Sequence, residues 1–297
     1  MSYYKSKYIQ VKNYSNKLYL DEPSTKKELY ADESFGFGSM QGWRKSNEDC
    51  HKDLMPLDNY LWNNWAFFSI FDGHNGIETA INAAHLLHKF ILKSFYENQY
   101  DIDTDTDTDQ FNNIIINTFI QLDKNLRDIV KDDSGSVCIT ALISPKKIYL
   151  INVGDSRGII ISKDGEVLAS TKDHKPNVRK EEERILRAGG KITKSVNDVL
   201  RVENRLAMSR SLGDYSLDKD IILSIPDIIE YPRNSLSSYI IIASDGIWDV
   251  MNNEQVASFV SQRASNITFD YIISQLFDQC LINQSSDNMT VYIIKID

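Results

Sequence analysis

Short, nearly unbroken apolar runs recur along this chain, and each one stops at a cluster of polar residues. Residues 65–71 (WAFFSIF) are aromatic and β-favouring throughout, which predicts a strand covered on both faces. The same reading predicts strands at 239–244 (YIIIAS), 148–153 (IYLINV) and 290–296 (TVYIIKI). Residues 137–143 and 148–153 flank Ser144-Pro145-Lys146-Lys147 and form a hairpin. Residues 158–162 and 166–169, joined by Asp164-Gly165, form a second. Residues 35–44 (FGFGSMQGWR) read as an irregular strand broken by glycines, and 18–34, with Pro23 and mixed charge, as its lead-in.

Helical spacing takes over elsewhere. Ala80, Ala84, Leu87, Ile91 and Phe95 make one stripe along 78–95, and Phe111, Ile115, Phe119, Leu122, Leu126 and Ile129 another along 111–130. A short charged helix spans 180–188 and stops at Gly189-Gly190. Two late helices cover 253–264 and 268–281, with Asn253 and Thr268 as N-caps. The stretch 190–223 has few apolar runs and reads as a partly mobile element beside the site. Strand runs at both ends, with helix pairs between and after, and no Pro/Gly/Ser linker or repeat, predict one α+β sandwich domain. Residues 1–17 show no periodicity and read as a surface extension.

Composition narrows the class. With 297 residues the chain can bury a large core, and a net charge of −9 argues against a nucleic-acid surface. Cys50, Cys138 and Cys280 have no paired spacing and read as free thiols. None has Arg six positions on, so the phosphate loop of cysteine-dependent phosphatases is absent. No apolar run is long enough to span a bilayer, and the first residues lack a signal-peptide core. A monomer in the cytoplasm, with the nucleus also open, is expected.

The strand ends carry the chemistry. Residues 65–71 run into Asp72-Gly73-His74, 239–244 into Asp245-Gly246 and 148–153 into Gly154-Asp155, while Asp287-Asn288 precedes 290–296. Antiparallel pairing sets the end of one strand beside the start of its neighbour, so Asp72, Asp155, Asp245 and Asp287 can gather at one edge. Four like charges repel and are costly to desolvate, and a hard divalent cation with oxygen ligands relieves both. Other motifs fall away. The glycines of 36–42 have the wrong spacing for a nucleotide loop and no Walker lysine follows. Residues 101–109 (DIDTDTDTD) lack the Gly and Glu of a calcium loop and read as a solvated acidic loop. His85 and His88 share an i,i+3 face without a carboxylate partner and read as surface or boundary histidines.

Nine segments then fall in one order: GSMQGWRKSNEDCH, FDGHNG, SGSVCITALIS, INVGDSRG, KDHKPN, ERILRAGG, RLAMSRSLGD, ASDGIWDV and SSDNMTV. Together they resemble the metal-dependent serine/threonine protein phosphatases of type 2C, over roughly residues 18–297. The resemblance implies a central sandwich of two antiparallel β-sheets flanked by pairs of antiparallel helices, α-β-β-α, with a small flap around 194–205. It implies two Mg²⁺ or Mn²⁺ ions, with Asp72 bridging both, the Gly73 carbonyl on one, and Asp245 and Asp287 on the other. Glu48 matches an acidic residue that reaches a metal through water, with Asp49 beside it. Asp155 and Asp249 match a weaker third metal position, Arg44 the arginine that holds the substrate phosphate, and His74 a general acid. Val137-Cys138, Asn75, the flap and the short loop after Asp214 depart from the family pattern, which leaves substrate preference open.

The chemistry so implied is direct hydrolysis of phosphoserine and phosphothreonine in proteins by activated water. Two rivals stand beside it: a catalytically silent scaffold on the same fold, and a dinuclear hydrolase of nucleotides or nucleic acid, the latter disfavoured by the acidic balance. The intact Asp72, Asp245 and Asp287 count against the first.

Overall fold

A computed structural model describes residues 18–100, 108–194 and 199–296. Two six-stranded antiparallel sheets lie face to face, with helices on both outer faces. The first sheet runs β1 (Tyr19–Ala31), β2 (Phe35–Arg44), β14 (Met289–Lys295), β13 (Tyr239–Ala243), β7 (Arg157–Ile161) and β8 (Val167–Ser170). The second runs β12 (Asp227–Pro232), β6 (Lys147–Val153), β5 (Gly135–Ile143), β4 (Ala66–His74) and β3 (Asp49–Leu54), with β11 (Leu212–Gly213) also on β5. A small hairpin, β9 (Ile192–Lys194) and β10 (Leu200–Val202), packs Val202 against Ile185, Leu206 and Ile222 at the flap. Residues 195–198 of that flap, most of the 101–109 acidic stretch and 1–17 lie outside the described residues.

Alternation along each strand sorts the side chains into three apolar layers. Ala66, Phe68 and Ile70 of β4 face the other sheet and meet Ile240 and Ile242 of β13 and Tyr292 and Ile294 of β14. Phe67 and Phe71 point the other way, onto α1 (Glu78–Glu97) and α2 (Thr108–Ile129). Ile241, Val291 and Ile293 face α5 (Asn253–Ala264) and α6 (Phe269–Ile282). The short charged helix is α3 (Arg179–Arg187), and a single turn, α4 (Asp245–Trp248), begins at the end of β13.

Several expectations need correcting. The 18–34 segment is a 13-residue edge strand, not a lead-in. Pro23 is tolerated there because β1 has one unpaired side and its register slips on either side of Ser24. A strand the apolar pattern did not predict is β3, opened by Asp49, a half-buried polar edge strand (DCHKDL) without an apolar alternation. Ile129 is exposed, and Val130, one turn beyond Leu126, takes the buried place instead. The cap of α5 is Asn252, whose side chain accepts from the Gln255 N–H in a capping box; Thr268 stands at the α6 cap position but makes no side-chain cap bond. No described helix is long and apolar enough to cross a membrane.

Gly36 and Gly38 leave β2 smooth on its helix side. A Cβ on Gly36 would collide with Phe269, and one on Gly38 with the Ile273 methyl. That absence of side chains lets α6 lie directly on the strand. Gly38→Val should therefore destabilise the protein by about 1–3 kcal/mol, the usual cost of overpacking; urea unfolding monitored by tryptophan fluorescence measures it.

Candidate metal and phosphate site

The inner-facing phase of each strand continues past its apolar residues into polar ones. On β4 the set Ala66, Phe68 and Ile70 is followed by Asp72; on β13, Ile240 and Ile242 by Ser244; on β14, Thr290 precedes Tyr292. On β3 the inner phase is Asp49, His51 and Asp53, with His51 against Phe37 and Asp53 accepting from the Tyr292 hydroxyl. One end of the inter-sheet layer is thus lined by carboxylates and hydroxyls. Asp49 lies opposite Asp72 in the β3–β4 register. Ser244 Oγ donates to Asp49 Oδ2 at 3.0 Å and accepts from the Thr290 N–H at 2.9 Å.

The carboxylates crowd one another. Burial, then the charges of Asp245, Asp49, Asp287 and Asp155, push the Asp72 carboxyl well above its usual range. Burial, then Asp287, Asp155 and Asp249, do the same to Asp245. Asp49 is pushed up to about 6, mainly by burial. Burial raises the exposed-edge Asp249 as well. Asp49 Oδ1 and Asp155 Oδ1 are buried and without a hydrogen bond among the described residues.

Two cationic side chains reach in. Arg44 donates to Asp287 Oδ2 and lies over the Tyr19 ring at 5.8 Å. Lys175 Nζ donates to Asp155 Oδ2 at 2.5 Å, and that charge holds its ammonium up against the opposing effect of burial. With these pairs made, no group of three or more His, Cys, Asp or Glu side chains among the described residues is arranged to hold an ion. The donor chemistry nevertheless fits a hard divalent cation: oxygen ligands only, mutually repelling, with orphaned carboxylate oxygens directed inward.

The remaining candidates frame this cleft. Glu48 accepts from Ser46 Oγ at 3.1 Å and from the Gly76 N–H at 3.4 Å. The Gly73 N–H donates to the Glu48 carbonyl, and a Cβ on Gly73 would come within 2.5 Å of that oxygen. His74 turns toward Asp214, its Nε2 2.8 Å from Asp214 Oδ2, which also accepts from Ser211 Oγ at 2.5 Å. Asp214 is completely buried.

Sequence reasoning gave no role to four residues that organise the site: Lys175, Asp214, Ser244 and Asn288. All lie in or beside the quoted segments, so the signal was their place in KDHKPN, RLAMSRSLGD, ASDGIWDV and SSDNMTV. Asn288 accepts from the Glu48 N–H at 3.0 Å and donates to the carbonyls of Gln41 and Ser46. The 190–223 stretch does stand beside the site, through Asp214.

The fold and this carboxylate-lined cleft define a known class. The protein phosphatase 2C family model matches residues 33–289, and the chain belongs to that family. It is 33% identical to human protein phosphatase 1B over 93% of its length, and spans 60% of that relative. Against bovine protein phosphatase 1A the identity is also 33%, over 93% of this chain and 75% of the relative. A serine-threonine phosphatase 2C from Toxoplasma gondii shares the fold, with a TM-score of 0.75 at 22% identity over 92% of this chain and 99% of that one.

A buried ion network holds the segment that carries Asp214. Glu181 of α3 accepts from Arg210, from Arg184 Nη2 at 2.9 Å and from Ser209 Oγ at 2.8 Å. Burial alone would raise its carboxyl, but these donors outweigh it and hold the pKa near 2, down from 4.5. The depressed value makes Glu181 stabilising above the unfolded pKa, with the contribution lost as pH falls toward about 2. Glu181→Gln should cost about 3 kcal/mol at pH 7, because Arg210 loses a buried partner. In denaturant melts at stepped pH, the gap between wild type and variant should close below about pH 4.5.

Proposed function

We propose that this chain hydrolyses phosphoserine and phosphothreonine esters in proteins with the help of two divalent cations, Mg²⁺ or Mn²⁺. The observation that carries this reading is the electrostatic crowding of Asp72 by Asp245, Asp49, Asp287 and Asp155 at one end of the inter-sheet layer. Asp72, the Gly73 carbonyl, Asp245 and Asp287 would hold the ions, with Glu48 and Asp49 beside them and Asp155 and Asp249 at a weaker third position. When bound, such ions supply an acidified water and positive charge against the phosphoryl oxygens.

The chain supplies the rest. Arg44, tethered by Asp287, offers a planar fork of N–H donors to the phosphate. His74 gives a proton to the departing seryl or threonyl oxygen, a poor leaving group without it. Asp214 fixes the imidazole by accepting from Nε2–H, so the proton given up in catalysis is the one the doubly protonated ring carries on Nδ1. A thiol nucleophile is disfavoured: burial pushes Cys50 and Cys280 up to about 12 and Cys138 to about 11, so each stays protonated. That supports hydrolysis without a covalent phosphoenzyme.

Release of phosphate from a phosphothreonine peptide should require Mn²⁺ or Mg²⁺ and stop with EDTA. Asp72→Ala and Asp245→Ala should remove both turnover and Mn²⁺ binding measured by calorimetry. Tight Mn²⁺ binding without turnover by the wild-type chain would favour the scaffold reading instead. His74→Ala and Asp214→Asn should slow the phosphothreonine peptide by about 10²–10⁴-fold and p-nitrophenyl phosphate far less, since nitrophenolate leaves without a proton. Equal losses on both substrates would remove the acid role.

A further inference from the structure

A second basic feature lies on the other side of β3. A cleft of about 360 Å³ opens between this strand and α1, lined by His51, Lys52, Leu54, His85, His88 and Lys89. Lys52 and Leu54 belong to the outward phase of β3, opposite to Asp49, and none of the site carboxylates lines the cleft; His51 shares the phase of Asp49 and stacks on Phe37. Its polar lining is entirely basic or imidazole, on a chain of net charge −9. Among the described residues neither Lys52 nor Lys89 is ion-paired to a carboxylate.

The basic groups are packed against one another. Lys89 Nζ donates to His85 Nε2 at 2.8 Å, one helical turn apart. Among the described residues the buried His88 Nδ1 has no hydrogen bond of good geometry, and its ring rests 6.2 Å from that of Phe67. Burial, then the charges of Lys52, Lys89 and His85, lower His88 to about 4, so it stays a neutral hydrogen-bonding group between two ammonium groups. The acids that act on His51 are Glu28 and Asp53, and Asp53 belongs to the inner phase of β3 and is engaged by Tyr292. Two ammonium groups without a carboxylate partner among the described residues, and three imidazoles, around a cavity of this size form a receptor for a compact, multiply charged oxyanion.

We propose that this cleft binds a phosphate monoester, namely a second phosphorylated side chain on the protein substrate, and so selects multiply phosphorylated segments. The proposal rests on the phosphatase reading for its biological context. The spacing follows from the fold. Lys52 lies three residues beyond Asp49, about 10 Å along the strand. An extended peptide with its scissile phosphate at the carboxylate site would place a phosphate here when the two residues are about three to five positions apart.

The test uses the full chain with Mn²⁺ and four substrates. These are p-nitrophenyl phosphate, a phosphothreonine peptide, and the same peptide carrying a second phosphoserine four residues to either side. Wild type should show a KM about tenfold lower for one doubly phosphorylated peptide, and the doubly charge-reversed variant Lys52→Glu/Lys89→Glu should lose that preference. Hydrolysis of p-nitrophenyl phosphate should stay within about twofold in the variant, which also reports that it folds. Equal KM for singly and doubly phosphorylated peptides, or a preference that survives charge reversal, would overturn the proposal. If no substrate is turned over, the phosphatase reading has failed separately. Calorimetric binding of the doubly phosphorylated peptide, lost in the Lys52→Glu/Lys89→Glu variant, would still support the cleft, and equal binding to both proteins would refute it.

Discussion

Mutual repulsion among carboxylates at one end of a two-sheet sandwich governs the design of this molecule. Asp72 feels Asp245, Asp49, Asp287 and Asp155, which are far apart in the chain, because the inner phases of β4 and β3 and the ends of β13, β6 and β14 meet at one place. Nothing in the local sequence would tolerate that concentration of charge. It persists because the apolar layers behind it are nearly solvent-free, with Phe68, Ile70, Ile240, Ile242 and Tyr292 all fully buried. Arg44 and Lys175 each neutralise one member of the set without displacing the others. Stability for the whole domain is therefore spent on holding a destabilised edge.

How much of this could be read from the chain depends on the kind of signal each residue carries. Long apolar runs that stop at Asp-Gly mark β4 and β13 unambiguously, and antiparallel adjacency then brings Asp72 and Asp245 toward Asp287. β3 carries no such signal: an edge strand with DCHKDL buries only one flank, so hydrophobic alternation never develops. β1 hides behind Pro23 and its charges for the same reason. Asp214 could not be paired with His74 from periodicity, since 140 residues separate them and Asp214 is itself at positive φ, with the Ser211 hydroxyl donating to the same carboxylate. Lys175 likewise sits in a segment without regular structure, where only the folded arrangement shows which carboxylate it meets.

The helical layers show the same division. The stripes on α1 and α2 were legible because each apolar residue repeats on one face, and only the last position of α2, Ile129, drifts into solvent. The α5 cap differs by one residue from the expected one, Asn252 in place of Asn253, because two adjacent asparagines offer the same side chain and only the Gln255 reciprocal bond distinguishes them.

Asn288 gives the architecture an unforeseen sensitivity. The link from β2 to β3 is where the chain steps from one sheet to the other, and this one amide grips it at Gln41, Ser46 and Glu48 from the start of β14. The cleft is consequently a gauge of interlayer alignment: sliding one sheet past the other would carry Glu48 and Asp49 away from Asp287 as a unit. Substitutions deep between the sheets, far from any carboxylate, would then detune the cleft's geometry through layer slip before they unfold the domain.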